Sequence, residues 1–206
     1  MSAFATPIEV VQAALHRCGE ESIASLSEGT PAALVATSNY EGIVRSMLTM
    51  HAWTFATKTV NLTLQGAATS GDFDFAWIWP ADVLNVRAVL VSGRRLRMRE
   101  YCIEGKTVLT QDQYIGSTVQ VVATVRAPES QWPDDFAEGV VTRLQGLFIE
   151  SLADKWQDGR IKIKDSKDII RQAITRDKRQ QPATTQEFNA LGDTWRLRGR
   201  RNRYLG

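Results

Sequence analysis

Two arginine-rich stretches supply the side chains of this sequence that could bind a charged partner. The longer one is the last twelve residues, which hold five arginines and no acidic residue. These arginines are Arg196, Arg198, Arg200, Arg201 and Arg203. A guanidinium group pairs through two parallel hydrogen bonds with a carboxylate or a phosphate. The stretch therefore predicts an arm that docks on an acidic surface; a solvated basic terminus is the alternative.

Apolar side chains in the same stretch extend what such an arm could recognise. Trp195, Tyr204 and Leu205 stand near its two ends. Large apolar side chains anchor protein interfaces by filling pockets on the partner. Arginine forks and apolar anchors together predict a segment that docks on another protein.

A second basic stretch precedes the middle of the chain. Its four arginines are Arg94, Arg95, Arg97 and Arg99, with Leu96 and Met98 between them. Alternation with a period of two indicates a strand with one apolar and one basic face. We expect the basic face to contact DNA phosphates or a neighbouring subunit, with a solvated strand face as the alternative.

Residues that could hold a metal ion or a cofactor are sparse and badly spaced for that purpose. The chain has two histidines, His16 and His51, and two cysteines, Cys18 and Cys102, without CxxC or HExxH spacing. It contains neither of the glycine-rich phosphate-binding motifs. The sequence therefore predicts no metal site and no cofactor, and two free thiols in a reducing compartment.

Catalytic constellations are equally weak in this sequence. Cys18 lies near His16, but side chains two positions apart on a helix point to different faces. Asp72 and Asp74 flank one residue of an expected loop, where a solvated turn is the common arrangement. A carboxylate-dependent hydrolase would need a pocket of convergent carboxylates with perturbed pKa values. We therefore predict that the protein is not an enzyme.

Length and composition set the size of the fold. The chain has 206 residues, 43% of them hydrophobic, which suffices for one core or for a helical domain with an insertion. Its net charge of +2 does not by itself indicate nucleic-acid binding. No run approaches about 18 apolar residues and no leader pattern is present, so we expect synthesis in a cytoplasm and no membrane association.

Helical spacing and capping signals predict helices at both ends of the sequence. The first should span about Pro7 to Arg17 and end at Gly19, and the second should run from Thr30 or Pro31 to His51. A third should open at Trp132-Pro133-Asp134-Asp135. Its apolar residues fall four apart, at Phe136, Val140, Leu144, Phe148, Leu152 and Trp156.

The end of the chain predicts further helix boundaries. Asp158-Gly159 should stop the third helix, and a fourth should span Ser166 to Lys178. A last short helix should begin at Thr184. Its apolar residues Phe188, Leu191 and Trp195 would share one face.

Alternation of period two predicts strands in the middle of the chain. Val60, Leu62 and Leu64 alternate with polar residues, and so do the apolar residues from Leu84 to Leu90. Turns are expected at Ser92-Gly93-Arg94 and Glu104-Gly105-Lys106, and a last strand at Thr118 to Val125. Five tryptophans between positions 53 and 156 are expected mostly in hydrophobic cores, with a cluster where the helices meet the strands. They are Trp53, Trp77, Trp79, Trp132 and Trp156.

Together these elements predict an α+β protein. An antiparallel helical bundle (residues 1–56 and 132–181) would carry an inserted antiparallel β module of four or five strands (57–131). Residues 182–206 would form a C-terminal helix and the extended basic arm.

Several short segments also match the pattern of a known family in their order and spacing. They are Leu15–Glu20, Ile23–Leu26, Trp53–Ala56, Trp79–Val86, Tyr101–Leu109, Val119–Val125, Trp132–Phe136 and Leu152–Trp156. In this respect the chain resembles the head-to-tail adaptor proteins of tailed bacteriophages, above all the tail tubular protein A type of short-tailed phages. The arginine-rich ending departs from the shared pattern.

The resemblance implies a structural virion protein at the head–tail junction. Such a protein would form a ring, usually of twelve copies, beneath the portal protein, with DNA passing through its channel without sequence readout. The C-terminal segment would reach the portal, and the β module would face the next tail or nozzle protein. A DNA-binding packaging accessory protein that uses both basic stretches is the alternative function, and it would bind DNA more weakly at higher salt.

Overall fold

The computed structural model describes residues 4–68, 71–111, 114–153 and 155–180. Within these ranges the chain is a mixed helix-and-sheet protein with antiparallel sheets. The helices are α1 (Pro7–Cys18), α2 (Pro31–Thr49), α3 (Asp134–Leu152) and α4 (Trp156–Gln180). The strands are β1 (Thr57–Asn61), β2 (Thr63–Ala67), β3 (Phe75–Ile78), β4 (Val83–Val91), β5 (Arg94–Arg95), β6 (Tyr101–Glu104), β7 (Thr107–Thr110) and β8 (Val119–Val125).

The first two helices begin and end where capping chemistry directs. α1 ends at Gly19, whose φ of 75° lets its N–H group turn back to the carbonyls of Leu15 and His16. α2 begins after Thr30, whose hydroxyl oxygen accepts a hydrogen bond from the N–H of Ala33 at 3.3 Å. Both predicted helix starts are confirmed. α2 ends at Thr49, two residues before the predicted end at His51.

The predicted boundary between the last two described helices is wrong. α3 ends at Leu152 and α4 already begins at Trp156, so Asp158-Gly159 lies in the first turn of a helix rather than stopping one. Trp156 consequently leaves the buried stripe of α3, and 54% of its surface is exposed. Tertiary packing explains the difference, because Gly159 is buried against Gly146 of α3 where the two backbones cross closely.

The apolar stripe predicted on α3 forms the centre of the helical core. Phe136, Val140, Leu144 and Phe148 are fully buried, and α3 packs against α1, α2 and α4. Helices from both ends of the described chain therefore share one core, although about eighty residues separate α2 from α3.

Buried tryptophans mark both places where the chain passes between helices and strands. Trp53 follows α2 and Trp132 precedes α3, and each indole N–H donates to a main-chain carbonyl. Their ring centroids lie 5.0 and 5.2 Å from that of Phe136. The predicted aromatic cluster is therefore present, while Trp77 is buried instead in the core between strands.

The eight strands form two four-stranded antiparallel sheets, which is more than the four or five strands predicted. The first sheet has the order β1-β8-β4-β5 and the second the order β2-β3-β7-β6. The alternating run from Val60 to Leu64 is divided between the sheets at Leu62. The N–H of Leu62 donates to the carbonyl of Val119, which holds the crossing point against the first sheet.

Two irregularities in β4 break the simple alternation expected there. The register with β8 shifts between Val83 and Asn85 and again between Val86 and Ala88. Val89 and Val91 therefore pack in the core between the sheets, whereas Leu84 packs against the helical core. A bulge re-aims the side chains that follow it, which lets one strand contribute to both cores.

Candidate functional site

The basic stretch at Arg94–Arg99 forms a short strand and a helical turn rather than the predicted two-faced strand. β5 contains only Arg94 and Arg95, and residues 98–100 form one turn of 3-10 helix. Leu96 is buried as expected, but 88% of the surface of Met98 is exposed. The carboxylate of Glu100 accepts the N–H of Arg97 at 2.7 Å, and such a local side-chain bond ends the strand.

Glu100 also organises one arginine of the stretch. Arg94 donates to Glu100 at 3.1 Å and to the hydroxyl of Tyr114 at 3.2 Å, while that hydroxyl donates to Glu100 at 3.0 Å. The N–H of Arg97, with Arg94 and Tyr114, lowers the pKa of Glu100 to about 2. The carboxylate therefore stays charged and holds Arg94 in place.

The four arginine side chains lie together at the edge of the first sheet. We call residues Arg94–Arg99 the basic tip, because Arg94, Arg95, Arg97 and Arg99 are all exposed around Met98. The guanidinium of Arg94 pairs with Glu100, and 61% of its side chain remains exposed. Such a tip suits an acidic or phosphate-bearing surface.

The other predicted binding residues lie outside the described part of the chain. These are the arm residues Trp195, Arg196, Arg198, Arg200, Arg201, Arg203, Tyr204 and Leu205. The basic tip is thus the part of the predicted binding surface whose geometry can be examined.

A buried polar cluster that the sequence did not indicate joins α4 to the residues after α2. The carboxylate of Asp177 accepts hydrogen bonds from the main-chain N–H of Thr54 at 3.0 Å and from its hydroxyl at 2.6 Å. His51 Nε2 lies 3.0 Å from the same carboxylate. Because 126 positions separate His51 from Asp177, no local pattern signals the contact.

Lowering the pH is expected to destabilise the protein through His51. Burial lowers the pKa of His51 below its ordinary value of 6.5, and Asp177 opposes this only in part. The unfolded chain therefore binds the proton at a higher pH than the folded chain does. The stability that neutral His51 contributes is complete above about pH 6.5, and it is lost as the pH falls through the lower pKa of His51 in the folded state. Urea unfolding between about pH 7.5 and 5 should show a shallower loss for His51→Gln than for wild type. The exposed His16→Gln variant serves as control, and equal slopes for His51→Gln and wild type would contradict the assignment.

A second buried network lies where the chain returns from β8 to α3. The hydroxyl of Tyr40 donates to Glu129 at 2.8 Å, and Arg126 donates to the same carboxylate at 2.6 Å. Arg126 also pairs with Glu41 on α2 and lies over the ring of Trp132. Burial, followed by the bond to Glu129, raises the pKa of Tyr40, so its hydroxyl keeps its proton and remains a donor.

His16 and Cys18, which the sequence places two positions apart, bond to different groups. His16 is exposed and hydrogen-bonds Ser22, while the thiol of Cys18 donates to the carbonyl of Ala14. Burial raises the pKa of Cys18, which opposes formation of the nucleophilic thiolate.

Within residues 4–68, 71–111, 114–153 and 155–180, no three side chains of histidine, cysteine, aspartate or glutamate are placed to hold a metal ion. Over the same positions, none of the helices combines the length and apolar character needed to cross a bilayer.

Comparison of the chain with protein-family models finds no match, and comparison with curated proteins finds none either.

Proposed function

We propose that this protein is a structural adaptor at the head–tail junction of a short-tailed bacteriophage. It forms a ring of about twelve copies beneath the portal protein and extends the DNA channel toward the next tail or nozzle protein. Ring contacts in such an assembly join two different surfaces of each subunit and close by rotation. The ordered series of segments from Leu15 to Trp156 that resembles the adaptor family motivates this proposal.

The observation that carries the proposal is the arrangement of the chain as helix, sheet, helix. α1 and α2 share a core with α3 and α4, and the strands between them have a core of their own. In the proposal, residues 1–56 and 132–181 form a helical bundle and residues 57–131 an inserted β module. A part with two separate cores can present different surfaces to a portal and to a tail component.

Each arginine-rich stretch has a distinct role in this proposal. The arm from Trp195 to Leu205 docks on the portal, with its arginines on acidic groups and its apolar residues in pockets. The basic tip, Arg94–Arg99, lies at a sheet edge and contacts either channel DNA or a neighbouring subunit. DNA contacts of this kind involve phosphates and carry no sequence information.

Removing the arm is expected to abolish binding to the portal. The full chain mixed with its cognate portal should form a complex whose mass includes about twelve copies, whereas a chain truncated after Asp193 should remain free of it. Native mass measurement at low and moderate salt checks this. A matched variant with Arg196, Arg198, Arg200, Arg201 and Arg203 changed to glutamine keeps the arm length and isolates the contribution of charge. Unchanged binding of the truncated chain would exclude arm docking.

The exposed basic tip favours a second candidate function, a DNA-binding packaging accessory protein. It predicts binding of duplex DNA that weakens steeply with salt. The association constant should fall by about 0.9 powers of ten for each tenfold rise in salt concentration and each phosphate contacted. The variant Arg97→Gln/Arg99→Gln leaves the Arg94–Glu100 pair intact and should lower that slope by about 2. Absence of duplex binding at low salt would remove this candidate.

A further inference from the structure

A groove of about 520 Å³ lies between α2 and α4, and Arg143 of α3 also lines it. Its apolar wall consists of Ile43 and Met47 from α2 and Ile170 and Ile174 from α4. Met50 lies at the groove with 56% of its surface exposed. An apolar groove between two helices is the kind of surface on which the apolar face of an amphipathic segment docks.

The charged side chains that line the groove are all basic. Arg143, Lys167 and Arg171 line it, and Arg171 also pairs with Asp168 on its own helix. Their charge favours an occupant that carries acidic side chains beside its apolar ones.

The sequence after α4 contains a segment with the required chemistry. Phe188, Leu191 and Trp195 have the spacing i, i+3, i+7 that helices use to anchor themselves in apolar grooves. Residues 181–195 also include Glu187 and Asp193 and no lysine or arginine. This part of the tail is acidic, in contrast to the basic arm that follows it.

The connection is long enough for the segment to reach the groove of its own chain. With a rise of 1.5 Å per residue, Ile174 lies about 9 Å and Ser166 about 21 Å before the end of α4 at Gln180. Residues 181–186 can span up to about 20 Å. A short connection gives an effective concentration in the millimolar range, which favours the chain's own groove over that of a second copy at micromolar protein.

We propose that the groove between α2 and α4 is the docking site of the chain's own segment Glu187–Trp195. Its apolar residues Phe188, Leu191 and Trp195 match the apolar wall in chemistry, and its two acids match the basic groove residues in charge. This inference does not depend on the adaptor function. Because the segment and the arm share Trp195, binding of the arm to a partner would draw this residue out of the groove.

Hydrogen exchange in the full-length protein tests the proposal. The amides of residues 187–195 should exchange at least about tenfold more slowly than those of residues 198–206. Gly42→Phe should remove this protection, because Gly42 lines the groove and has open space around it. Gly42→Ala is the matched control and should keep the protection. Leu191→Asp, which changes the segment and leaves the described helices intact, should also remove it.

Three results would overturn the proposal. Residues 187–195 could exchange as fast as residues 198–206 in the wild type. Their protection could persist in a Gly42→Phe variant shown by circular dichroism to be folded. Finally, the protection could rise with protein concentration together with the mass of a dimer, which would assign the segment to the groove of a second copy. The portal-binding experiment reports on a different property, so failure of one proposal is distinguishable from failure of the other.

Discussion

Gly146→Ala is expected to lower the free energy of unfolding by about 2 to 3 kcal/mol, because it inserts a methyl group where α3 and α4 cross. A Cβ atom at this position would lie 2.8 Å from the carbonyl oxygen of Gly159 and 3.0 Å from the main-chain nitrogen of Ile163. Both are backbone atoms, so the methyl group can be accommodated only by moving the helices apart. Urea unfolding monitored by circular dichroism measures the change.

Gly139, also on α3, and Gly42, on α2, provide graded controls. A Cβ at Gly139 would meet the end of the Ile170 side chain, which can change rotamer, so Gly139→Ala should cost less than Gly146→Ala. A Cβ at Gly42 meets nothing within 4 Å, and alanine is the better helix former, so Gly42→Ala should stabilise by about 0.5 to 1 kcal/mol. Equal effects of the three substitutions would show that the close crossing does not determine stability.

Asp177→Ala is expected to cost about 3 kcal/mol, the magnitude typical of losing one partner from a buried charged cluster. The substitution leaves the N–H and hydroxyl of Thr54 and the ring nitrogen of His51 without the carboxylate that receives them. Asp177→Asn keeps the shape and one acceptor oxygen, so about half of that loss is expected.

A surface carboxylate on the same helix is the matched control for Asp177. Asp168 pairs with Arg171, and both side chains are more than half exposed. Asp168→Asn should therefore change the free energy of unfolding by less than about 0.5 kcal/mol. If the Asp177 and Asp168 variants unfolded at the same urea concentration, the buried cluster would have no special role in stability.

Local signals in the sequence predicted those parts of the fold that depend on neighbouring residues. The end of α1 at Gly19 and the start of α2 after Thr30 follow from backbone geometry and from one side-chain hydrogen bond. The turn at Ser92-Gly93, where both residues have positive φ, is set in the same way by the residues it contains.

Features that depend on distant residues could not be read from the sequence. Asp158-Gly159 is a turn signal in isolation, but the buried contact with Gly146 keeps Gly159 inside a helix. The prediction of a strand through Leu96 and Met98 is wrong, because the side chain of Glu100 caps a helical turn there. The cluster of His51 and Asp177 joins residues that no periodicity connects.

The two passages between helices and sheets have a mechanical consequence. The connection from α2 to the strands is held at Thr54 by Asp177. The connection from the strands back to α3 is held at Glu129 by Tyr40 and Arg126. Each passage also carries a buried tryptophan, Trp53 or Trp132. A hinge between two parts of a chain needs connecting segments that can bend, and here both connections are held by buried or part-buried hydrogen bonds, one to Asp177 of α4 and the other to Tyr40 of α2. We therefore expect the sheets to follow any movement of the helices instead of swinging about these connections.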